Sequence, residues 1–410
     1  MLKEDNFFKG YFNNSIKYRK NLKKTRKAFS SLMLDLKSSR IPLLESYKKG
    51  YSYSFSNALI KKFYNCNKIV IIGMGGSILG TKSIYSFLKK KIKKKVFFFD
   101  NLDSNLYSKF KKIKNLKSSC FVVVSKSGNT LETITNLNIL SSRSIFRKKL
   151  VIITEIKNNS LTEIASKYNA EIIEHKDFIG GRYSVLSETG MFPAALMGLK
   201  IKKFKNLEAL VKNKNFVNSL IKNVAALYTL NTNGINNSIT LNYDSSLNDL
   251  SFWYQQLVAE SLGKLGKGIN PIIAFGPKDH HSLLQLYLDG PKDKFFTFFS
   301  SSNKENKLKI NMNTIPYNFK FLKNKNINSI VGAQQKALQN IFKLKKIPFR
   351  CINFNAKNEE DLGKFFTFFV LETILLSKLM NLNPFNQPAV EQVKIEAKKI
   401  LGLKFSKNYL

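Results

Sequence analysis

The chain has 410 residues, 43% of them apolar, and a formal net charge of +41; that composition excludes a disordered chain, and the length suits two domains better than one. The charge does not by itself point to nucleic acid, because lysine is spread along nearly the whole chain without a recognisable nucleic-acid module, and reads as compositional bias with steering of anionic metabolites as a secondary effect. No apolar run is clean enough to span a membrane, no amino-terminal apolar region follows Met1, and Cys66, Cys120 and Cys351 are odd in number and widely separated; the expectation is a cytoplasmic protein in a reducing compartment.

Residues 1–50 place apolar positions at helical spacing between basic ones and predict an amino-terminal helical segment. A first strand follows at Lys68–Ile72, then a glycine turn, Gly73-Met74-Gly75-Gly76-Ser77, and a helix to about Lys90. Short apolar, β-branched runs recur at Val96–Asp100, Cys120–Ser125 and Leu150–Thr154, alternating with helical segments. That cadence predicts a parallel sheet covered on both faces, over residues 51–200. An Asn-rich stretch, 201–245, reads as a helical and polar connection. A second α/β unit is expected over 246–410, with strands at Pro271–Phe275, Phe295–Phe299 and Pro348–Phe354, and helices at Ser282–Leu288 and within Lys325–Leu344. Asn358, followed by Glu359, Glu360 and Asp361, is a helix start with acids in its first turn; that helix should run to Asn381, before Pro384.

The glycine turn after the first strand fails both familiar nucleotide fingerprints. Counting from Gly73, the last glycine of a dinucleotide motif falls on Ile78, and Thr81 stands where a Walker lysine belongs. A strand, a glycine turn with Gly76 and Ser77, and a helix start still favour an anion. The junction Ser125-Lys126-Ser127-Gly128-Asn129-Thr130 carries three hydroxyls, a lysine and a glycine, more than a helix cap needs, and reads as a phosphate cradle. Only seven of 68 basic residues are arginine, and one, Arg182, stands in Gly180-Gly181-Arg182-Tyr183-Ser184. A planar, permanently charged group there suits an anionic oxygen better than the lysine used elsewhere.

Proton chemistry has few candidates. His280 and His281 follow a predicted strand, at the end where α/β sheets bind ligands. Adjacent histidines point apart, and no cluster at ligand spacing supports a metal. Gln256 and Glu260 lie four apart on one helix face, placing an amide beside a potential base. Gln387 and Lys394 follow a proline turn, about two helical turns apart.

GMGGSILG, SKSGNTLET, GGRYSVLSETGMFPAAL, ESLGK, DHHSLLQLYLDGPKD and NQPAVEQVK occur in that order between Gly73 and Lys394. In these motifs the chain resembles the glucose-6-phosphate isomerase (phosphoglucose isomerase) family. The resemblance implies two tandem sugar-isomerase domains with extra helices at both ends, a homodimer with shared active sites, and no metal or organic cofactor. It implies reversible conversion of glucose 6-phosphate to fructose 6-phosphate through ring opening and a cis-enediolate, in glycolysis and gluconeogenesis. By position, Ser77, Ser125, Lys126, Ser127 and Thr130 would hold the phosphate, Glu260 would move the proton, and Arg182 would stabilise the enediolate. His281 and Lys394 would open the ring; Gln256 and Gln387 would line the sugar. Leu262, Ala389, His280 and Pro277 depart from the usual family residues. A related isomerase for mannose or amino-sugar phosphates, or a non-catalytic sugar-phosphate binder, are the alternatives.

Overall fold

The computed structural model describes residues 8–112, 116–141, 149–301 and 308–407. Two all-parallel sheets organise it. The first comprises β1 (Lys68–Gly73), β2 (Lys95–Phe99), β3 (Ser119–Val124), β4 (Leu150–Thr154) and β5 (Glu171–Glu174), in the order β2-β1-β3-β4-β5. The second comprises β6 (Asn237–Asn242), β7 (Asn270–Phe275), β8 (Lys294–Ser301) and β9 (Phe349–Phe354), in the order β7-β6-β8-β9. In both, the first strand lies between the second and third. The chain therefore leaves β1 and β3, and again β6 and β8, in opposite directions, which opens a crevice at their carboxyl ends.

β1, β3 and β4 are buried almost end to end, as unbroken apolar runs must be when helices cover both faces. Two strands lie outside the sequence expectations. β5, Glu-Ile-Ile-Glu, is a short edge strand with too few apolar residues to stand out. β6, Asn-Ser-Ile-Thr-Leu-Asn, lies inside the stretch 201–245 that reads as a connection, so the second sheet begins there instead of after residue 246. Its Ser238, Thr240 and Asn242 are buried polar residues, which hide a central strand from a hydrophobicity reading.

The helix Glu359–Met380 joins the two units. Asn358 caps it by accepting from the Asp361 amide at 2.8 Å, and Asn381 closes it in the left-handed conformation at φ 55°. It is buried on nearly every face and packs against Ile16–Lys37, Lys214–Asn231 and Asn248–Leu262. One apolar cluster consequently runs through both sheets, taking in Ile69, Ile71 and Val122 from the first and Phe295, Phe299 and Ile352 from the second. Burying each such side chain contributes about 1.5–3 kcal/mol. Leu262 is fully buried in this cluster.

A buried ion pair fastens the second unit. Arg350 of β9 donates to both oxygens of Glu372 at 2.5 and 3.1 Å, to the Tyr254 hydroxyl at 3.2 Å and to Thr297 Oγ1 at 3.0 Å. Every member is buried, and Tyr254 and Glu260 share the Asn248–Leu262 helix. Among the described residues no helix is long and apolar enough to cross a membrane.

Candidate active site

The glycine turn after β1 and the GGRYS segment meet backbone to backbone. A Cβ on Gly76 would lie 2.2 Å from the Gly181 carbonyl carbon, so no side chain fits there. The second turn, after β3, is closed by a side chain: Gly128 has φ 70°, and a Cβ on it would sit 1.9 Å from Asn159 Oδ1. Asn159 itself caps the helix Ser160–Tyr168, accepting from Leu161 and Thr162 amides at 3.0 and 3.1 Å. Across this turn Ser125 Oγ and Thr130 Oγ1 are 2.8 Å apart, while Ser127 is exposed. Lys126 reaches back to the Asp177 carbonyl and lies 3.7 Å from Glu155. The turn leads into the eleven-residue helix Leu131–Ser141, whose free amides face the same crevice end as Ser77. Ser77 and Ser125 flank the point between β1 and β3 where the sheet order reverses.

Arg182 is the centre of a second group. It is 2% exposed and spends every donor nitrogen. Its Nε donates to Ser261 Oγ at 2.8 Å; Nη1 donates to Glu260 Oε2 at 3.1 Å and Gln387 Oε1 at 2.8 Å; Nη2 donates to the Pro384 carbonyl and, at 3.2 Å, to that of Asn386. Gln256 Nε2 donates to the other Glu260 oxygen at 2.8 Å, as the four-residue spacing on one helix requires. Gln256 Oε1 is buried without a partner and is free to accept from a bound hydroxyl. The same Gln256 amide nitrogen lies 2.9 Å from where a Gly75 Cβ would stand, which brings the two groups together. The Glu260 side chain keeps 32% of its surface, open enough for a ligand, whereas the guanidinium is fixed in place.

The structure thus brings together Gly76, Arg182, Gln256, Glu260 and Gln387, with Ser77 on the adjoining turn. It does not bring His281 or Lys394 to them within one chain. His281 is exposed on the turn Lys278–His281 that follows β7, and its neighbour His280 is turned inward onto the Tyr243 hydroxyl at 2.5 Å. Burial, then the charge of His281, lowers the His280 imidazole from its usual value. Lys394 is 62% exposed on the helix Val390–Lys407 and pairs with Glu391 at 2.6 Å. Sequence reasoning passed over Ser261, Tyr183, Asn159 and Lys264. The first two are adjacent to Glu260 and Arg182 in the motifs already noted; Asn159 is marked locally only as a helix cap, with nothing that ties it to Gly128.

The sheet orders, the hydroxyl-rich turns and the guanidinium–carboxylate pair between them define a protein of two linked sugar-isomerase domains. A hypothetical protein of Thermus thermophilus shares this architecture at a TM-score of 0.82, with 21% identity, over 98% of this chain and all of that one. A glucose-6-phosphate isomerase of Chlamydia trachomatis does so at 0.71, with 20% identity, over 85% of this chain and 72% of the other. In sequence, a glucose-6-phosphate isomerase of Methanocaldococcus jannaschii is 33% identical over 82% of this chain and 84% of its own, and one of Mycoplasmopsis synoviae is 31% identical over 82% and 83%. Residues 58–408 match the phosphoglucose isomerase family model, and the chain belongs to that family.

Proposed function

We propose that the protein interconverts D-glucose 6-phosphate and D-fructose 6-phosphate, in glycolysis and gluconeogenesis, with side chains alone supplying acid, base and charge. The observation that carries this reading is the Arg182 guanidinium, fixed between Glu260 Oε2 and Gln387 Oε1. The phosphate sits on the amides and hydroxyls of the turns at Gly76–Ser77 and Ser125–Thr130, with Lys126 beside them. Anchoring it there turns binding energy into orientation of C1 and C2 against the carboxylate.

In the open chain Glu260 removes the proton from C2, and the electron pair left behind forms the C1–C2 double bond as charge passes to O1. Arg182, buried beside Glu260, neutralises that oxygen as a fixed cation. Return of the proton to C1, with the O2 hydrogen passing to O1, completes the ketose. Gln256 and Gln387 hold the hydroxyls on either side. His281 and Lys394 are assigned the proton transfers that open the ring.

Those two residues lie apart from the pocket in one chain, so the reading includes a homodimer in the cytoplasm. The exposed Val390, Val393, Ile395, Ile400 and Leu401 of the carboxyl-terminal helix give that second copy an apolar surface to cover. The test is a coupled assay of purified protein against glucose 6-phosphate, mannose 6-phosphate and glucosamine 6-phosphate. Fastest turnover is expected on glucose 6-phosphate. Saturable binding without turnover of any of them would instead identify a sugar-phosphate sensor.

A further inference from the structure

The segment that carries Gln387 is held by its carbonyls, and the donors come from three separate side chains. Lys264 donates to the carbonyl of Asn383, Tyr183 to that of Pro384 at 3.0 Å, and Arg182 to those of Pro384 and Asn386. Tyr183 also shares Ser261 Oγ at 2.8 Å with the arginine, and its ring faces that of Phe385 at 6.0 Å. Lys264 is itself locked. It forms a tight reversal with Lys267, their backbones paired at 3.2 and 2.9 Å, with Leu265 and Gly266 at φ 54° and 68° between them. Lys267 Nζ donates to the Met380 carbonyl at 3.2 Å. The Lys267 ammonium therefore meets the carboxyl-terminal end of Glu359–Met380, where carbonyls lack intrahelical partners and a cation is favoured, and the Lys264 ammonium meets the turn just beyond it.

We propose that Lys264 is a positioning residue for catalysis: by clamping the turn 383–387 it sets the place of Gln387 and, through their shared hydrogen bond, of the Arg182 guanidinium against Glu260. This rests on the isomerase reading. Lys264 follows the base by four residues, so one short segment supplies both the base and the anchor of the opposite wall. Burial, then the Arg182 charge, pulls the Lys264 ammonium down to about 8, with Glu260 pulling it back up. A partly desolvated ammonium held in this way depends on its carbonyl acceptor.

The experiment compares Lys264→Met and Lys264→Arg with wild type by steady-state kinetics and by hydrogen exchange of the amides in 380–387. The phosphate turns are untouched by either change. We expect Lys264→Met to lower kcat about tenfold or more with KM within about threefold, since an ångström of misplacement is felt in the transition state. Exchange in 380–387 should speed up in that variant, and Lys264→Arg should restore both. Unchanged exchange in Lys264→Met, or faster exchange with kcat within twofold of wild type, overturns the proposal. A wild-type protein that exchanges normally but turns over no sugar phosphate overturns the isomerase reading, and with it the catalytic role of the clamp.

Discussion

Arg182 shows why one residue type cannot be exchanged for another at this site. Its three nitrogens serve five acceptors, among them the Glu260 carboxylate and two backbone carbonyls. A lysine keeps the charge but has one nitrogen, which cannot reach Ser261, Glu260 and Asn386 together. Arg182→Lys should therefore lower kcat/KM by about 10²-fold, the loss that an ångström of misplacement of the charge against Glu260 can bring. Steady-state kinetics on glucose 6-phosphate checks this; a loss under about threefold would mean that charge alone matters. The site arginine was legible because the chain uses arginine so sparingly, and Gln256 and Glu260 because helical spacing fixes their face. Asn159 was not, since its contact with Gly128 spans 31 residues and depends on the β3–β4 pairing.

At the scale of elements, the arginine turn is supported from the amino-terminal side. Tyr47 donates to the Tyr183 carbonyl at 3.0 Å, and Tyr51 and the Ser54 amide donate to the buried Glu188 at 2.9 and 3.0 Å. Lys205 is sealed above them, its ammonium 4.1 and 4.0 Å from the ring centres of Tyr51 and Tyr53 and without a hydrogen-bond partner. Burial lowers this lysine to about 7, while Glu188 pulls it back up. In the unfolded chain it titrates at about 10.4, so between these values the unfolded state binds more protons and stability rises with pH. Below pH 7 the cost of burying the charge is present in full. Lys205→Met should accordingly be more stable than wild type at pH 6 in urea titrations, with the gap narrowing toward about pH 10. A gap that widens with pH would show that the ring faces outweigh desolvation. The elements read from sequence were those whose local chemistry agreed with their place: Leu150–Thr154 as a buried strand, Asn358 and Asn381 as the ends of a helix. β6 was missed because it buries polar residues in a central strand, Ser238, Thr240 and Asn242 among them, with Asn242 donating to Asn248 at 2.6 Å. No periodicity records that.

At the scale of the whole molecule the charge of +41 is expected to bear on encounter rather than on fold. A dianionic sugar phosphate is drawn toward such a surface, and salt shortens the reach of that field to about 8 Å at 0.15 M. Raising ionic strength should lower kcat/KM more than kcat. Equal sensitivity of both would assign the lysines to composition alone. His281 and Lys394 are the candidate site residues that the fold explains least, because both are marked by motif yet sit on exposed segments.

Proton transfer by Glu260 is the claim on which the rest depends, and deuterium exchange reads it directly. Wild type and Glu260→Gln are incubated with glucose 6-phosphate in D₂O, and label at C2 of the aldose and C1 of the ketose is followed by NMR. The wild type should incorporate deuterium as it isomerises. Glu260→Gln should still bind sugar phosphate but lose isomerisation and exchange together, by about 10²-fold or more for a general base. Exchange in Glu260→Gln at the wild-type rate would contradict the account and place the base elsewhere.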